Sequence, residues 1–155
     1  MGGGSALDDL APKVAGGAAL SLHATTVAWN GAALLISGPP GAGKSGLAAQ
    51  MIALGAGLVA DDLTLLRPAA SGPVAQAPEG APAAMELRGL GICPVPRAGP
   101  TRLAACLLLG PSPGRLPDAE AVELLGHPVP VLRHPAAPDL AAKLILWLRV
   151  HGAGP

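Results

Sequence analysis

A single α/β domain built on a mixed sheet is the fold this sequence predicts, and three observations predict it. Short apolar runs suited to buried strands recur at Ala32–Ser37, Gly57–Ala60 and Thr101–Leu109. The first two are joined by a glycine-rich turn and a stretch of helical period, a strand–helix–strand unit of about thirty residues. The chain's 155 residues, 50% of them hydrophobic, suffice for one sizeable core. Phe and Tyr are absent, and Trp29 and Trp147 are the whole aromatic content. The core must therefore be built from Leu, Val, Ile and Ala, despite 22 glycines and 18 prolines.

Met1 to about Ala19 is rich in Gly and Ala and is expected to be a flexible segment, with the folded domain spanning 20–152. Ser21–Trp29 reads as a strand, because Thr25, Thr26 and Val27 favour extended backbone. Asn30-Gly31 is a strong two-residue hairpin signal, and Ala32–Ser37 follows as a buried strand. A helix is expected over Lys44–Leu54, where Leu47, Met51 and Leu54 share one face and Gly55 is a natural stop. Gly57–Ala60 returns as a strand ending at Asp61-Asp62, and Leu63–Arg67 continues extended.

Pro68–Pro82 is turn-rich and shows no periodicity. Met85–Arg88 and Thr101–Leu109 read as strands, separated by Gly89-Leu90-Gly91 and two prolines. Asp118–Leu125 reads as a short helix and Val129–Leu132 as a short strand. Pro138-Asp139 opens a last helix to about Val150, with Leu140, Leu144, Trp147 and Leu148 as its apolar stripe and Gly152 at its end. No internal repeat is present.

Charge and cysteine content narrow the function classes. Ten basic residues balance ten acidic ones without forming a basic stripe, which gives no support for nucleic acid as a partner. Cys93 and Cys106 stand apart with no metal-like spacing, so a reduced chain is expected. The N-terminus shows no basic-then-apolar secretory pattern. No apolar run reaches the ~18 residues of a membrane span. A soluble, cytoplasmic protein with no membrane partner follows as the expectation.

The chemistry is concentrated at Gly38-Pro39-Pro40-Gly41-Ala42-Gly43-Lys44-Ser45. Gly-x4-Gly-Lys-Ser is the spacing a polyphosphate site needs. Glycines let backbone N–H groups converge on phosphate oxygens, and the following helix N-terminus adds positive potential. Lys44 would reach the β- and γ-phosphates of ATP, and Ser45 would present its hydroxyl oxygen to Mg²⁺. From the chain's own composition, a chance match arises roughly a few times in a thousand. The apolar strand before the loop and the helical period after it make accident still less plausible.

Asp61-Asp62 comes next in weight. Ligands in α/β sheets bind at the carboxyl ends of strands, which is where this pair follows Gly57–Ala60. One such acid can accept the proton of an attacking hydroxyl while another orients a metal. His23 lies on a strand that the Asn-Gly turn folds back beside the loop strand; taken alone, a histidine there is more often a plain surface or core residue. Glu86 is the lone acid of a long apolar region. It reads equally as a second metal ligand or as a strand residue paired with Arg88.

With these pieces in order, the chain resembles HPr kinase/phosphorylase, the bifunctional enzyme acting on a serine of HPr, the phosphocarrier of the phosphotransferase system. Four blocks carry the resemblance: His23 with its strand, the loop Gly38–Ser45, Leu58-Val59-Ala60-Asp61-Asp62, and Glu86-Leu87-Arg88-Gly89-Leu90-Gly91-Ile92. The phosphate loop is shared by many families, whereas the Val-Ala-Asp-Asp and Arg-Gly-Leu-Gly-Ile blocks are far more particular. Together they cover about residues 20–95.

The resemblance implies the family's C-terminal domain fold, similar to phosphoenolpyruvate carboxykinase around the nucleotide site. It implies a short form without the usual N-terminal domain, as in alphaproteobacteria, and assembly as a homo-oligomer, usually a hexamer. It also implies roles. Asp62 is the base that takes the serine proton, and the acid in the reverse reaction. His23 supports that carboxylate, and Lys44 holds the transferred phosphoryl group. Ser45 and Glu86 bind Mg²⁺. Arg115 is matched to the family's catalytic arginine, with Arg133 as its rival. In reverse, inorganic phosphate attacks phosphoserine and releases pyrophosphate.

The chain departs from the family where Gly46 replaces a common Glu and where Pro39-Pro40 replaces a more polar stretch. After Leu109 the match is weak, and the segment associated with dephosphorylation is not legible around His134-Pro135. Two other readings stand beside the kinase acting on HPr. A small-metabolite P-loop kinase would ordinarily bring an Arg-rich lid, and no such cluster exists in the sequence. A non-catalytic ATP-binding regulatory module would bind nucleotide and yield no phosphoprotein.

Overall fold

The computed structural model describes residues 5–112, 114–115 and 118–152. In chain order its elements are α1 (Ala6–Leu10), β1 (Lys13–Val14), β2 (Leu20–Leu22), β3 (Thr25–Trp29), β4 (Ala32–Ser37), α2 (Lys44–Ala53), β5 (Gly57–Ala60), β6 (Thr64–Arg67), β7 (Val74–Gln76), β8 (Ala84–Leu87), β9 (Gly91–Pro94), β10 (Thr101–Leu109), β11 (Glu120–Leu124), β12 (His127–His134) and α3 (Leu140–His151). Among the described residues ten strands join one mixed sheet along the path β1-β2-β6-β7-β10-β4-β3-β5, with β12 also beside β10 and β11 beside β12. β8 and β9 form a separate hairpin.

The centre of the sheet explains the continuous apolar runs. β4 lies between β3, antiparallel to it, and β10, parallel to it. Its side chains alternate between two core clusters: Leu34 and Ile36 pack with α2 and α3, while Ala33 and Leu35 join the cluster of Leu10, Leu66, Val122 and Val131. A strand covered on both faces has no polar side to show. The strand–helix–strand unit is present as β4–α2–β5, with β3 inserted between its two strands. The β3–β4 hairpin turns at Asn30 (φ 51°) and Gly31 (φ 79°), the left-handed pair that two-residue hairpins require.

Several expectations need correction. Asp118–Leu125 is not a helix. Glu120–Leu124 is a strand pairing antiparallel with β12, and its alternating burial, with Val122 and Leu124 inward, is the period of a strand. Ser21–Trp29 is two strands broken at His23-Ala24, where the chain passes from pairing with β6 to pairing with β4. The turn-rich stretch 68–82 holds β7, and Gly89-Leu90-Gly91 is not a spacer: Arg88-Gly89-Leu90 is the turn of a hairpin and Gly91 begins its second strand. The segment expected to be flexible carries α1, with Ala6 and Leu10 buried, and β1 paired with β2.

Candidate functional site

β4, β10 and β12 run parallel, with Ser37, Leu108 and Arg133 in register, so their carboxyl ends share one edge of the sheet. β5 also runs in the direction of β4, because both are antiparallel to β3. The phosphate loop therefore leaves β4 at the edge where Asp61-Asp62 leaves β5. This is the edge where α/β sheets bind ligands.

The loop's backbone is shaped by its glycines. Gly41 (φ 81°) and Gly43 (φ 102°) occupy left-handed conformations, and the Ala42 N–H donates to the Pro39 carbonyl at 3.0 Å. Gly38 is tightly packed, since a Cβ there would lie 3.1 Å from the Leu109 Cβ and 3.2 Å from the Ala42 Cβ, closer than such atoms ordinarily sit. Gly43 caps α2 without a side-chain bond, and no acid occupies that helix's first turn. The free N–H groups and positive end of the helix thus face the loop. Lys44 donates from Nζ to the Gly38 carbonyl at 2.7 Å, folding its charge over the loop's concavity. Ser45, Pro39 and Pro40 are exposed.

The acid turn is built with more hydrogen bonds than its sequence suggests. Thr25, fully buried on β3, donates from Oγ1 to Asp61 Oδ1 at 3.0 Å and accepts the Asp62 N–H at 3.4 Å. Leu63 N–H donates back to the Asp61 carbonyl at 2.7 Å, which puts Asp62 at the apex of a three-residue turn. Its φ of 64° is the strained, positive-φ form of that turn. Burial pushes the Asp61 carboxyl above its ordinary value, against the lowering pull of the Thr25 bond, with the neighbouring Asp62 charge adding to the rise. Asp62 itself is exposed. With β3 between β4 and β5, the two acids stand two strand spacings, about 10 Å, from the loop strand.

The structure gathers His23, Asp61, Asp62, Lys44 and the loop at one sheet edge. His23 is exposed in the break between β2 and β3, and no hydrogen bond joins it to Asp62. Glu86 is exposed on β8, whose preceding residue Met85 is buried in the cluster that contains Leu47, Ala48 and Met51 of α2. Successive strand residues face opposite ways, so Glu86 points away from that helix. It makes no hydrogen bond to the loop or the acids, nor to Arg88. Among the described residues no three His, Cys, Asp or Glu side chains cluster as a ready metal cage.

The two arginines differ. Arg133 is held by Glu120 through two parallel bonds of 2.8 and 3.0 Å and by Asp9 at 3.3 Å. Arg115 is exposed in the segment that leaves β10 at the loop's edge; Leu116 and Pro117, which follow it, lie outside the described residues. Two adjoining hollows of about 170 and 410 Å³ open on the outer side of β5, the smaller one lined in part by Asp61 and Arg97. The phosphate loop lies outside both hollows. Thr25 is the residue that sequence reasoning missed. It was legible as a strand former, and only the fold reveals that its hydroxyl meets residues 36 and 37 positions away.

The HPr Serine kinase C-terminal domain matches residues 17–99, over half of the chain. The chain belongs to that family. The match takes in the loop, the acid turn and the β8–β9 hairpin. The Hpr(Ser) kinase/phosphatase from Coxiella burnetii is similar in fold, with a TM-score of 0.72 at 24% identity over 84% of this chain and 89% of that one. No curated protein sequence matches this chain. The family and the fold are those expected from the four sequence blocks. Among the described residues no helix is long and apolar enough to cross a membrane.

Proposed function

We propose that this protein is an ATP-dependent serine kinase acting on an HPr-like phosphocarrier. The observation that carries the reading is the shared sheet edge. A phosphate-binding turn leaves β4 there, and a hydrogen-bonded pair of acids leaves β5. A nucleotide triphosphate seated on Gly38–Ser45, with contacts from the loop's N–H groups, would present its terminal phosphoryl group to a hydroxyl approaching Asp62.

In the forward step the serine oxygen bonds to the γ-phosphorus, and the bond to the β–γ bridging oxygen breaks to release ADP. Asp62 takes the serine proton. Lys44 holds the transferred group once its bond to the Gly38 carbonyl yields to phosphate. Asp61, whose burial makes it a better proton acceptor than an ordinary aspartate, sets the field beside Asp62. His23 supports the Asp62 carboxylate from the neighbouring strand end. Arg115 is the arginine that screens developing charge, because Arg133 is occupied by Glu120. In reverse, an oxygen of inorganic phosphate bonds to the phosphoserine phosphorus, the bond to the serine oxygen breaks, Asp62 returns the proton to that oxygen, and pyrophosphate is the second product.

Ser45, in the first turn of α2 beside the loop, is the residue that would hold Mg²⁺; Glu86, the second ligand the resemblance implies, faces away from that helix and does not fit the role in this arrangement. Hydroxyl and carboxylate oxygens are the hard donors this ion takes, and it commonly relies on substrate phosphates for the rest of its shell. The ion would supply neutralisation of phosphate charge. A cytoplasmic homo-oligomer, a hexamer as the resemblance implies, completes the reading. Exposed Leu90 and Ile92 on the β8–β9 hairpin suit assembly.

The test is direct. Labelled ATP and Mg²⁺ are incubated with HPr and, separately, with a metabolite mixture, and the run is repeated with phosphorylated HPr and inorganic phosphate. Label on a protein serine is expected. Label confined to small molecules, or nucleotide binding with no phosphoprotein under any metal condition, overturns the proposal.

A further inference from the structure

Two hydroxyl links lash the acid turn to β3 from both sides. Thr64 Oγ1 donates its one proton to the Ala24 carbonyl at 3.0 Å, so in its 2.8 Å contact with Thr26 Oγ1 it must be the acceptor and Thr26 the donor. That link fixes the chain just after the turn. Thr25 fixes the turn itself, giving its proton to the Asp61 carboxylate and receiving the Asp62 N–H. All three threonines are fully buried, where an unpaired hydroxyl would be costly.

The two links differ in what they touch. Thr26–Thr64 joins scaffold to scaffold. Thr25 touches a carboxylate and the amide of the strained residue beside it. Thr25 is also paired directly with Ile36, one residue before the end of β4, so a rigid strand pair leads from the phosphate loop to this hydroxyl. Without the bond, the Asp61 carboxylate is free to rotate about its side-chain torsions, and Asp62 loses a partner that holds its backbone at φ 64°.

We propose that Thr25 is a positioning residue for phosphoryl transfer, its buried hydroxyl orienting the Asp61 carboxylate and pinning the strained turn that presents Asp62 to the phosphate loop. This rests on the reading of the acid pair as the catalytic one.

The experiment compares Thr25→Val, Thr25→Ala and Thr25→Ser in the full chain. Valine keeps the shape and removes the hydroxyl, alanine removes it without placing a new methyl against the acids, and serine keeps it. With HPr as acceptor, valine and alanine are expected to lower kcat by about 10- to 100-fold, the usual consequence of a small misplacement, with the KM for ATP unchanged. Serine is expected to restore kcat. Amide hydrogen exchange supplies a readout free of any assay. Exchange at Asp62 is expected to quicken in the valine and alanine variants and to stay at the wild-type rate in serine.

Wild-type kcat or wild-type Asp62 exchange in the valine or alanine variant overturns the proposal, as does a serine variant as slow as valine. Should valine fail to fold, the alanine–serine comparison decides. If the wild-type protein transfers no phosphate to HPr, the functional reading fails, and the exchange data still decide whether Thr25 pins the turn.

Discussion

The two flanks of β4 use polar residues in opposite ways. On the β3–β5 side the hydroxyls of Thr25, Thr26 and Thr64 are fully buried and spend their hydrogen bonds on a turn that holds two acids in place. On the β10–β12 side the charged groups lie nearer to solvent and satisfy one another, Arg133 with Glu120 and Asp9, and Lys143 with Asp139 at 3.7 Å. A side chain already matched to a permanent partner is poorly placed to meet a transient one. The difference supports the proposed placing of the acid–base chemistry: the first flank holds an Asp61 carboxylate oriented by a buried hydroxyl at the edge where the phosphate loop leaves, and the second, Arg115 apart, closes its charges into structural pairs.

The strongest way to break that comparison is to exchange the consequences of mutation on the two sides. Asp62→Asn is expected to cut phosphoryl transfer by about 10²- to 10⁴-fold, the usual contribution of a general base, while ATP affinity stays near wild type. Arg133→Ala on the other flank is expected to change turnover by less than about 3-fold, since it removes a partly exposed ion pair and no group that meets the substrate. Steady-state kinetics with HPr, beside nucleotide binding by calorimetry, measures both. Wild-type turnover in Asp62→Asn, or a large loss in Arg133→Ala, would reverse the assignment of the flanks.

Gly38→Val tests the boundary between them, because Gly38 sits against Leu109 at the end of β10. A Cβ there would meet the Leu109 Cβ at 3.1 Å and the Ala42 Cβ at 3.2 Å, so these neighbours must give way by a few tenths of an ångström, and the two methyls of valine add to the crowding. Overpacking of this kind costs about 1–3 kcal/mol. Thermal melting is expected to show that loss, and nucleotide binding to weaken with it, because the Gly38 carbonyl is also what holds Lys44. An unchanged melt would mean that the loop is not seated on β10.

How much of this was readable beforehand also divides by flank. The β3–β4 hairpin was legible because Asn30 and Gly31 tolerate left-handed backbone. The β11–β12 hairpin turns through nearly the same angles at Leu125 (φ 51°) and Gly126 (φ 80°), yet leucine carries no such signal, and the helix-forming run Asp118–Leu125 pointed elsewhere. There the pairing partner decided the strand against local propensity. The loop and the acid pair were legible as motifs because their spacing is itself chemistry. Thr25 was not, since a hydroxyl's partner across 36 residues of sequence is set by sheet register alone. β7 was missed because three residues among prolines and glycines have too few positions to show a period.

The smallest effects sharpen the comparison most, because two carboxylates, one per flank, depart from ordinary behaviour in opposite directions. Burial raises Asp61, so its ionised form burdens the folded state, and that burden lifts as pH falls through its raised pKa. The bonds from Arg133 lower Glu120, so its ionised form supports the folded state, a support present at neutral pH and lost as pH falls through its lowered pKa. Asp61→Asn is therefore expected to melt slightly above wild type at neutral pH, and Glu120→Gln slightly below it. Each difference is at most about 1 kcal/mol, since both sites are open to solvent screening. In acid, once each carboxyl is protonated in the folded and unfolded states alike, these electrostatic differences shrink. Melting curves of the three proteins across the acid range measure this, and differences of the same sign at neutral pH would mean that the two flanks hold their carboxylates by the same physics after all.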